Sequence, residues 1–390
     1  MLTQDQIDLI KATAPVVAEH AEQITRTFYP LMFDRYPEVT AVFNQAHQNG
    51  GAQPRALADA IIAYASNIDN LGVLGPAVER IVNKHVSLNI TPPQYEIVGE
   101  CLMAAIGQVL GDAVTPEIAD AWGAAYWQLA NLLIEAEETV YQAHEQAPGG
   151  WRGARAVRIA KTVRESSVIT SFYLEPVDGK PLMTYRPGQY LGLKLRINGE
   201  TLHRNYSLSA SPSTERYRIS VKREPGGVAS TWLHDEARVG DVIEIYPPAG
   251  DFTLKDSDAP VVLLTAGVGQ TPAISMLEAA VAGGRPVTYL HFALNSEVHA
   301  FRDHVEGIAA ANDNVTRAYV YDRPLPGDAP DHEGVISVEL LKQYLPAGGA
   351  EVYFLGPKPF MAQALRHLKS LGVAEDHIHY EFFGPLEALT

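Results

Sequence analysis

The pattern of apolar residues changes near residue 146, and this change most constrains how the chain can fold. Before it, apolar residues recur every three or four positions, which is the spacing of one face of an α-helix. After it, short runs rich in β-branched and aromatic residues alternate with turn sequences. The segment QAPGGWRGAR, residues 146–155, lies between the two patterns and has the proline and glycine content of a linker. The sequence therefore predicts an all-α region followed by regions of different architecture.

The region before residue 146 predicts one helix after another. Thr3 and Gln6 have the spacing of a capping box, and apolar residues then follow at helical intervals. The apolar stripe from Trp122 to Val140 predicts a long last helix. Segments such as PEV, LGVLGP, TPP and TPE interrupt the stripes, since proline suits a first helical turn and glycine suits a helix end. We therefore expect an all-α domain over residues 1–146.

The region after residue 155 predicts two further domains. The runs VITSFYLEPV, QYLGLKLRI and RYRISVKRE, separated by turn sequences such as DGK, RPG and NGE, are typical of a small antiparallel β-barrel. From Ala259 onwards, apolar strands alternate with helical segments, a pattern that indicates a parallel α/β sheet. We expect the barrel domain over residues 147–256 and the α/β domain over residues 257–390.

The charge and the cysteine content exclude several classes of function. The 390 residues carry a formal charge of −16, which argues against nucleic-acid binding because phosphate contacts need basic patches. Residues 1–146 alone contain 6 Lys and Arg against 18 Asp and Glu, a net charge of −12. Cys101 is the only cysteine, so internal disulfides and cysteine-held clusters are excluded. No apolar run approaches the ~18 residues of a membrane span and no signal peptide is apparent, so we expect a cytoplasmic protein.

Two glycine motifs in the α/β region suggest a nucleotide site. In VVLLTAGVGQTP, a buried-type strand runs into Gly267 and Gly269, and a helix begins near Pro272. Glycines at such a turn let the backbone approach a pyrophosphate, which the helix amino terminus then stabilises. The alternative interpretation is a tight turn without a ligand. A later strand ends in Gly356 and Pro357, where ligands of open parallel sheets bind.

The barrel region carries two motifs that suit a flat ring and a phosphate. In RNYSL, Arg204 can pair with a phosphate, Tyr206 can stack on a ring and Ser207 can donate to a ring nitrogen. The GG pair of KREPGGVASTWL, together with Ser230, is suited to a second phosphate cradle. Taken singly, Tyr206 and Trp232 are better interpreted as ordinary barrel core.

The order of these motifs resembles the ferredoxin–NADP reductase family. The resemblance implies a barrel that binds FAD and a following domain that binds NAD(P)H. By the same resemblance, Tyr190 in RPGQY contacts the flavin, and Phe383 in the carboxyl-terminal YEFFGP lies against the flavin ring. The positions that match the family's motifs are Arg204, Asn205, Tyr206, Ser207, Gly227, Ser230, Gly267, Gly269, Gln270, Thr271, Pro272, Gly356, Pro357, Phe382, Phe383, Gly384 and Pro385.

The helical region resembles globins, and the whole chain resembles the flavohaemoglobins. The matching residues are Tyr29, Phe43, Gln53, Leu57, Lys84, His85, Tyr95 and Glu135. The resemblance implies that His85 is the proximal ligand of a haem b iron, with Glu135 as the partner of its imidazole and Tyr95 steadying that pair. It also implies that Tyr29 and Gln53 face the oxygen substrate, that Phe43 and Leu57 line the pocket, and that Lys84 and Glu381 tune electron transfer from flavin to haem.

The residues alone leave several of these roles open. A single histidine on an apolar stripe is more often a core residue than a ligand, and Glu135 lies off the Trp122–Leu133 stripe, as a solvated acid does. Tyr29 suits a helix-packing aromatic equally well. The chain also departs from the family at Leu355 and Phe382, where the family has cysteine.

The flavohaemoglobin resemblance implies nitric oxide dioxygenation, in which nitric oxide and O2 become nitrate at the expense of NAD(P)H. Two alternatives remain: an oxygen-binding or sensing globin with its own haem reductase, and an NAD(P)H-dependent flavin or peroxide reductase. We expect NADH to be the favoured donor. The segment after the second strand of the nucleotide domain contains Glu297 and no Lys or Arg before Arg302, so the 2′-phosphate of NADPH would meet an acid there. Asn295 and Ser296 there can hydrogen-bond a free ribose hydroxyl. No obligate protein partner is implied.

Overall fold

The computed structural model describes residues 2–42 and 52–383, with the backbone alone described for residues 52–56 and 59. The chain forms two compact units, built mainly from Met1–Gln146 and from Ala147–Ile197 with Arg204–Phe383. None of the helices in the described ranges has the length and apolar composition needed to cross a membrane.

The described residues of the first unit up to Gln146 form helices joined by short turns, as predicted. Three short 3-10 segments, Pro37–Val42, Leu71–Leu74 and Gly111–Ala113, lie between the longer helices. The α-helices are α1 (Gln4–Glu19), α2 (Ala21–Arg35), α3 (Ala52–Ser66), α4 (Gly75–Val86), α5 (Pro92–Leu110) and α6 (Pro116–Gln146).

Capping residues fix where two of these helices begin. Thr3 and Gln6 form the predicted capping box, with the Gln6 backbone N–H donating to Thr3 Oγ1 at 3.2 Å and the Thr3 N–H donating to Gln6 Oε1 at 3.0 Å. Thr91 and Gln94 form a second box, followed by proline at the first helical position of α5. This start places Tyr95 in the first turn of α5, facing the core.

The second unit begins with the predicted antiparallel barrel. Its elements are β1 (Arg155–Arg164), β2 (Ile169–Pro176), β3 (Tyr190–Ile197), β4 (Glu200–Ser207), β5 (Tyr217–Lys222), α7 (Val228–Asp235) and β6 (Val242–Ile245). β1 pairs with β2 and β6, β2 pairs with β5, and β3 pairs with β6, all antiparallel. The order is β4-β3-β6-β1-β2-β5, and a bridge between Leu208 and Ile219 joins the two edges into a closed sheet.

The second unit continues with a parallel sheet flanked by helices, again as predicted. The elements are β7 (Val261–Ala266), α8 (Gln270–Ala282), β8 (Val287–Ala293), α9 (Arg302–Ala311), β9 (Val315–Tyr321), β10 (His332–Glu333), α10 (Val338–Tyr344), β11 (Glu351–Leu355), α11 (Lys358–Ser370) and β12 (Ile378–Tyr380). The sheet has the order β10-β9-β8-β7-β11-β12, so the strand order reverses between β7 and β11, the place where ligands of such sheets bind.

Candidate functional site

His85 lies in the last turn of α4 and is joined to two residues from other helices. Its Nδ1 is 2.7 Å from Oε1 of Glu137 on α6 and 2.9 Å from the hydroxyl of Tyr95 on α5. The Tyr95 hydroxyl donates to the same Glu137 oxygen at 2.5 Å. The Glu137 side chain is 3% exposed, and that of His85 is 31% exposed. Three helices thus hold one imidazole in one orientation.

The carboxylate fixes which imidazole nitrogen is protonated. An ionised carboxylate only accepts hydrogen bonds, so Nδ1 of His85 must carry the proton that it shares with Glu137. Both hydrogen bonds of the ring to described residues use Nδ1. The lone pair of Nε2 is therefore the one available to a metal, which is the arrangement of a histidine ligand supported by a carboxylate.

The predicted partner Glu135 is wrong, and the acid that contacts His85 is Glu137. Glu135 is exposed and lies two residues before Glu137 on α6, a rotation of roughly 200° around the helix axis. Glu137 instead follows Leu133 by four residues and precedes Tyr141 by four, so all three lie on the buried face. The signal was present in the sequence as an acid in register with the apolar stripe.

Tyr95 is held in place by burial and by its neighbours. Burial, followed by the charge and the hydrogen bond of Glu137, raises the pKa of the Tyr95 hydroxyl, so this group remains a proton donor at neutral pH. Tyr126 donates from its hydroxyl to the Tyr95 backbone carbonyl at 2.5 Å. Gly99 permits this contact, because a Cβ at Gly99 would lie 2.5 Å from the Tyr126 ring.

The residues predicted to line the other side of a haem pocket are described only in part. Tyr29 on α2 is buried, with its ring 4.8 Å from that of Phe28, and the partly buried Leu57 packs against the same apolar cluster. Lys84 is exposed beside His85. Phe43 and the side chain of Gln53 lie outside the described residues.

Tyr190 begins strand β3 in a position that a glycine makes possible. It forms an antiparallel bridge with Ala249, and its ring packs on Gly250, where a Cβ would lie 2.7 Å from the ring. Gly250 also has φ +113°, a backbone conformation that favours glycine. The sequence did not predict the role of Gly250, because its contact with Tyr190 joins positions 60 residues apart in the chain.

The RNYS residues form the end of β4, close to Tyr190. The Leu208 N–H donates to the carbonyl of Gln189, which joins the end of β4 to the start of β3. Because side chains alternate along a strand, Arg204 and Tyr206 share one face and Asn205 and Ser207 the other. Burial lowers the pKa of the Arg204 guanidinium and raises the pKa of Tyr206 to about 12, so both remain protonated at neutral pH.

Gly227 and Ser230 form a compact turn at the start of α7. The Ser230 hydroxyl accepts from the Glu224 N–H at 3.1 Å and donates to the Gly227 carbonyl at 3.3 Å. A Cβ on Gly227 would lie 2.6 Å from this hydroxyl. Ser230 therefore secures the turn, and the backbone N–H groups at the helix start are the groups best suited to a phosphate.

The two glycine motifs of the parallel sheet meet where the strand order reverses. A Cβ on Gly269 would lie 2.4 Å from the Leu355 carbonyl oxygen, and one on Gly356 would lie 2.8 Å from the Ala266 Cβ. Gly267 has φ +54° in the turn between β7 and α8. The turn after β7 and the end of β11 are therefore in contact only because neither glycine has a side chain.

The remaining motif residues support this turn. Gln270, fully buried, donates to the Gly267 carbonyl at 3.2 Å and accepts from the Tyr289 hydroxyl at 3.3 Å. The Thr271 hydroxyl donates to the Val268 carbonyl at 3.1 Å. Pro272 is buried in the first turn of α8, and Pro357 caps the start of α11.

Two aromatic rings at the end of the described residues differ in their exposure to solvent. Phe382 is partly buried against the apolar core beneath β11, whereas Phe383 is 51% exposed. Leu355 is buried in the core on the other face of the sheet. Leucine and phenylalanine therefore serve as core residues at the two positions where cysteine was expected. Glu381 precedes these rings, and Gly384 and Pro385 lie outside the described residues.

Three family models match successive parts of the chain. The globin family model matches residues 26–133, the oxidoreductase FAD-binding domain matches residues 156–254, and the oxidoreductase NAD-binding domain matches residues 263–366. Among solved structures, the flavohemoglobin of Malassezia yamatoensis with bound FAD and heme has a TM-score of 0.87 and 30% identity, covering 98% of this chain and 100% of that chain. The FAD/NAD-binding domain of nitric oxide dioxygenase from Vibrio cholerae has a TM-score of 0.56 and 35% identity, covering 60% of this chain and 100% of that chain.

Two relatives that align with the whole chain are both flavohemoproteins. The flavohemoprotein of Pseudomonas aeruginosa is 54% identical over 391 residues, and that of Pseudomonas putida is 52% identical over 391 residues. Both alignments cover 100% of this chain and 100% of the relative. With a globin domain, an FAD-binding domain and an NAD-binding domain in the same order, the chain belongs to the flavohemoprotein family.

Proposed function

We propose that the chain is a nitric oxide dioxygenase that uses haem b, FAD and NAD(P)H. The observation that carries this proposal is the carboxylate behind His85. A histidine that shares its Nδ1 proton with a buried glutamate is more basic at Nε2 and donates more electron density to a bound iron. That electron density favours oxygen activation over reversible oxygen storage.

The described residues suit the three cofactors. His85 offers Nε2 to a haem iron, the Arg204–Ser207 strand with Tyr190 and the α7 turn suits FAD, and the contact between Gly269 and Gly356 suits a dinucleotide. When bound, NAD(P)H and FAD supply a two-electron donor and a group that passes those electrons singly to the haem, where nitric oxide and O2 combine to nitrate. We assign these tasks to residues 257–390, 147–256 and 1–146.

Several roles remain part of the proposal. Glu137 and Tyr95 hold the His85 imidazole, while Tyr29, with Gln53, donates a hydrogen bond to the oxygen substrate. Leu57 and Phe43 restrict the space around that substrate. Phe383 is exposed enough to lie against a flavin ring, and Lys84 and Glu381 adjust the transfer of electrons to the haem.

We also propose NADH as the favoured donor. Beyond β8, the Ser296 N–H donates to Asp328 at 3.1 Å, which adds a second acid to Glu297 in this loop. Arg302 lies over the Tyr319 ring at 5.7 Å, and Arg323 is paired with Asp322 at 3.3 Å. A 2′-phosphate would therefore meet carboxylates, whereas a free ribose hydroxyl can donate to them.

An assay of nitric oxide consumption, begun without O2 and continued after O2 is added, tests the proposed function. Converting one nitric oxide and one O2 to nitrate requires one electron, so each NAD(P)H serves two nitric oxide molecules. We expect rapid consumption that requires both O2 and nicotinamide, with nitrate as the product. Consumption without nicotinamide turnover would favour an oxygen-binding globin, and flavin-dependent reduction of peroxide without nitric oxide consumption would favour a reductase.

The same assay compares the donors. We expect a kcat/KM at least about tenfold higher with NADH than with NADPH, since the 2′-phosphate adds repulsion without a cation to offset it. A higher kcat/KM with NADPH would show that Arg323 or Arg302 reaches the phosphate, and the donor assignment would be wrong.

A further inference from the structure

Glu278, on the nucleotide-side helix α8, joins the α/β domain to the barrel. Its Oε2 accepts from both the backbone N–H and the hydroxyl of Ser211, the latter at 2.6 Å. Its Oε1 accepts from His304 Nε2 on α9 at 2.8 Å and lies 3.5 Å from the Arg218 guanidinium on β5. The Glu278 side chain is only 16% exposed. One carboxylate therefore contacts two elements of the barrel and one neighbouring helix.

Arg218 extends the same junction. Its guanidinium donates to the carbonyl of Ser209 and to its hydroxyl, and it lies over the Phe301 ring at 5.2 Å. Phe301 caps α9 with φ +59°, a conformation that is unusual for a bulky residue. The side chain of Arg218 is 9% exposed. The barrel thus packs a buried cation against both a carboxylate and a strained aromatic residue of the α/β domain.

These contacts connect the two motifs that the proposed reaction must bring together. Ser211 follows Ser207, the last residue of the RNYS motif, by four positions along the chain. Glu278 lies about two turns after Gln270 on the helix that begins at the glycine turn. A shift of α8 relative to the 208–213 segment would therefore move the nucleotide turn relative to the RNYS strand.

We propose that Glu278 is a positioning residue for hydride transfer, because its carboxylate fixes α8 on the segment that follows β4 and so sets the distance between bound nicotinamide and flavin. This inference rests on the proposed function. Glu278 lies about 12 Å along the helix from its start, away from the glycine turn. The residue acts only through the two elements that it joins.

The electrostatics support a permanent junction. Burial raises the pKa of the Glu278 carboxyl, but hydrogen bonds from His304 and Ser211 and the charge of Arg218 outweigh it, so the pKa is lowered overall. The group is therefore charged at neutral pH. The attraction to Arg218 and the three hydrogen bonds that the carboxylate accepts from Ser211 and His304 therefore persist at neutral pH.

The test compares Glu278→Ala, Glu278→Gln and Ser211→Ala with the matched control Glu244→Ala in the full-length holoprotein. Glu244 pairs with Lys194 at 2.9 Å, and both residues belong to the barrel. Ser211→Ala is the mildest change, because it removes one hydroxyl donor and leaves the backbone N–H contact. Thermal unfolding of each variant checks that it is folded before the other measurements.

Two measurements follow. Amide hydrogen exchange, which does not depend on turnover, reports the Ser211 N–H and the backbone of α8 directly. Stopped-flow absorbance gives the rate constant of FAD reduction at saturating NADH and the apparent Kd for NADH. We expect Glu278→Ala to lose protection at residues 208–213 and to slow FAD reduction about 10-fold to 100-fold, with Kd changed by less than about threefold.

The expected order of effects is Glu278→Ala, then Glu278→Gln, then Ser211→Ala, with Glu244→Ala close to the unmodified protein in both measurements. Unchanged exchange together with an unchanged reduction rate in Glu278→Ala would overturn the inference. A change confined to the Kd for NADH would also overturn it, since that would be a binding role. If NADH failed to reduce the flavin of the unmodified protein, the proposed function itself would fall.

Discussion

The buried carboxylate of Glu137 is the single side chain on which the proposed haem chemistry most depends. Burying a carboxylate is costly unless donors satisfy it, and here Tyr95 and His85 both donate to one of its oxygens. The family resemblance correctly predicted that an acid of α6 supports His85 but placed it at Glu135. Only the helical register, with Leu133, Glu137 and Tyr141 at intervals of four, identifies the acid that faces inward.

We predict that Glu137→Gln retains haem but lowers nitric oxide turnover about 10-fold to 100-fold, as is usual when the residue supporting a ligating histidine is changed. A neutral amide makes the imidazole a weaker electron donor to the iron, so the haem reduction potential should rise. Potentiometric titration and the nitric oxide assay measure both effects. Glu135→Gln is the matched control, and an equal effect of the two substitutions would contradict the assignment of Glu137.

At the scale of elements, the sequence predicted the motifs but not their contact. The glycines of GVGQTP and the glycine of LGP were each predicted to belong to a nucleotide site. The two motifs lie more than 80 residues apart in the sequence. Their contact depends on β11 lying beside β7, which follows from strand order rather than from either motif. Long-range pairing of this kind has no local sequence signal.

We predict that Gly269→Ala separates the turn after β7 from the end of β11, because the added Cβ would lie 2.4 Å from the Leu355 carbonyl oxygen. The backbone must move, so the KM for NADH should rise about tenfold or more and the melting temperature should fall. Gly307→Ala on α9 is the matched control, since nothing lies within 4 Å of its added Cβ. It should leave the KM unchanged and gain about 0.5–1 kcal/mol of helix stability. Equal KM values for the two variants would contradict the predicted contact.

At the scale of the whole molecule, the order of three architectures was predictable because each has its own periodicity. Helical spacing, strand alternation and wholly apolar strands are local patterns, and the structure confirms all three. The apolar clusters around Phe28 and around Tyr95 lie in the first unit, whereas those around Tyr289 and around Phe354 lie in the second. What the local patterns do not encode is the junction within the second unit, where Glu278 and Arg218 meet.

The first and second units have separate apolar cores, so loss of haem from the first unit should leave the reductase activity of the second unit intact. We expect His85→Ala to abolish stable haem binding and nitric oxide consumption, because Nε2 of His85 is the proposed ligand and lies in the first unit. Reduction of an external acceptor such as ferricyanide by NADH should stay within about twofold, since the glycine turns and the RNYS strand lie in the second unit.

The Soret absorbance, the FAD content and both activities measure this division in one preparation. His20→Ala is the matched control, because His20 lies at the end of α1, where its Nδ1 contacts the Val16 carbonyl at 2.9 Å. It should keep haem and both activities. Full haem retention with an unchanged spectrum in His85→Ala would remove His85 as the ligand. Loss of ferricyanide reduction along with the haem would instead show that the reductase depends on an occupied globin domain.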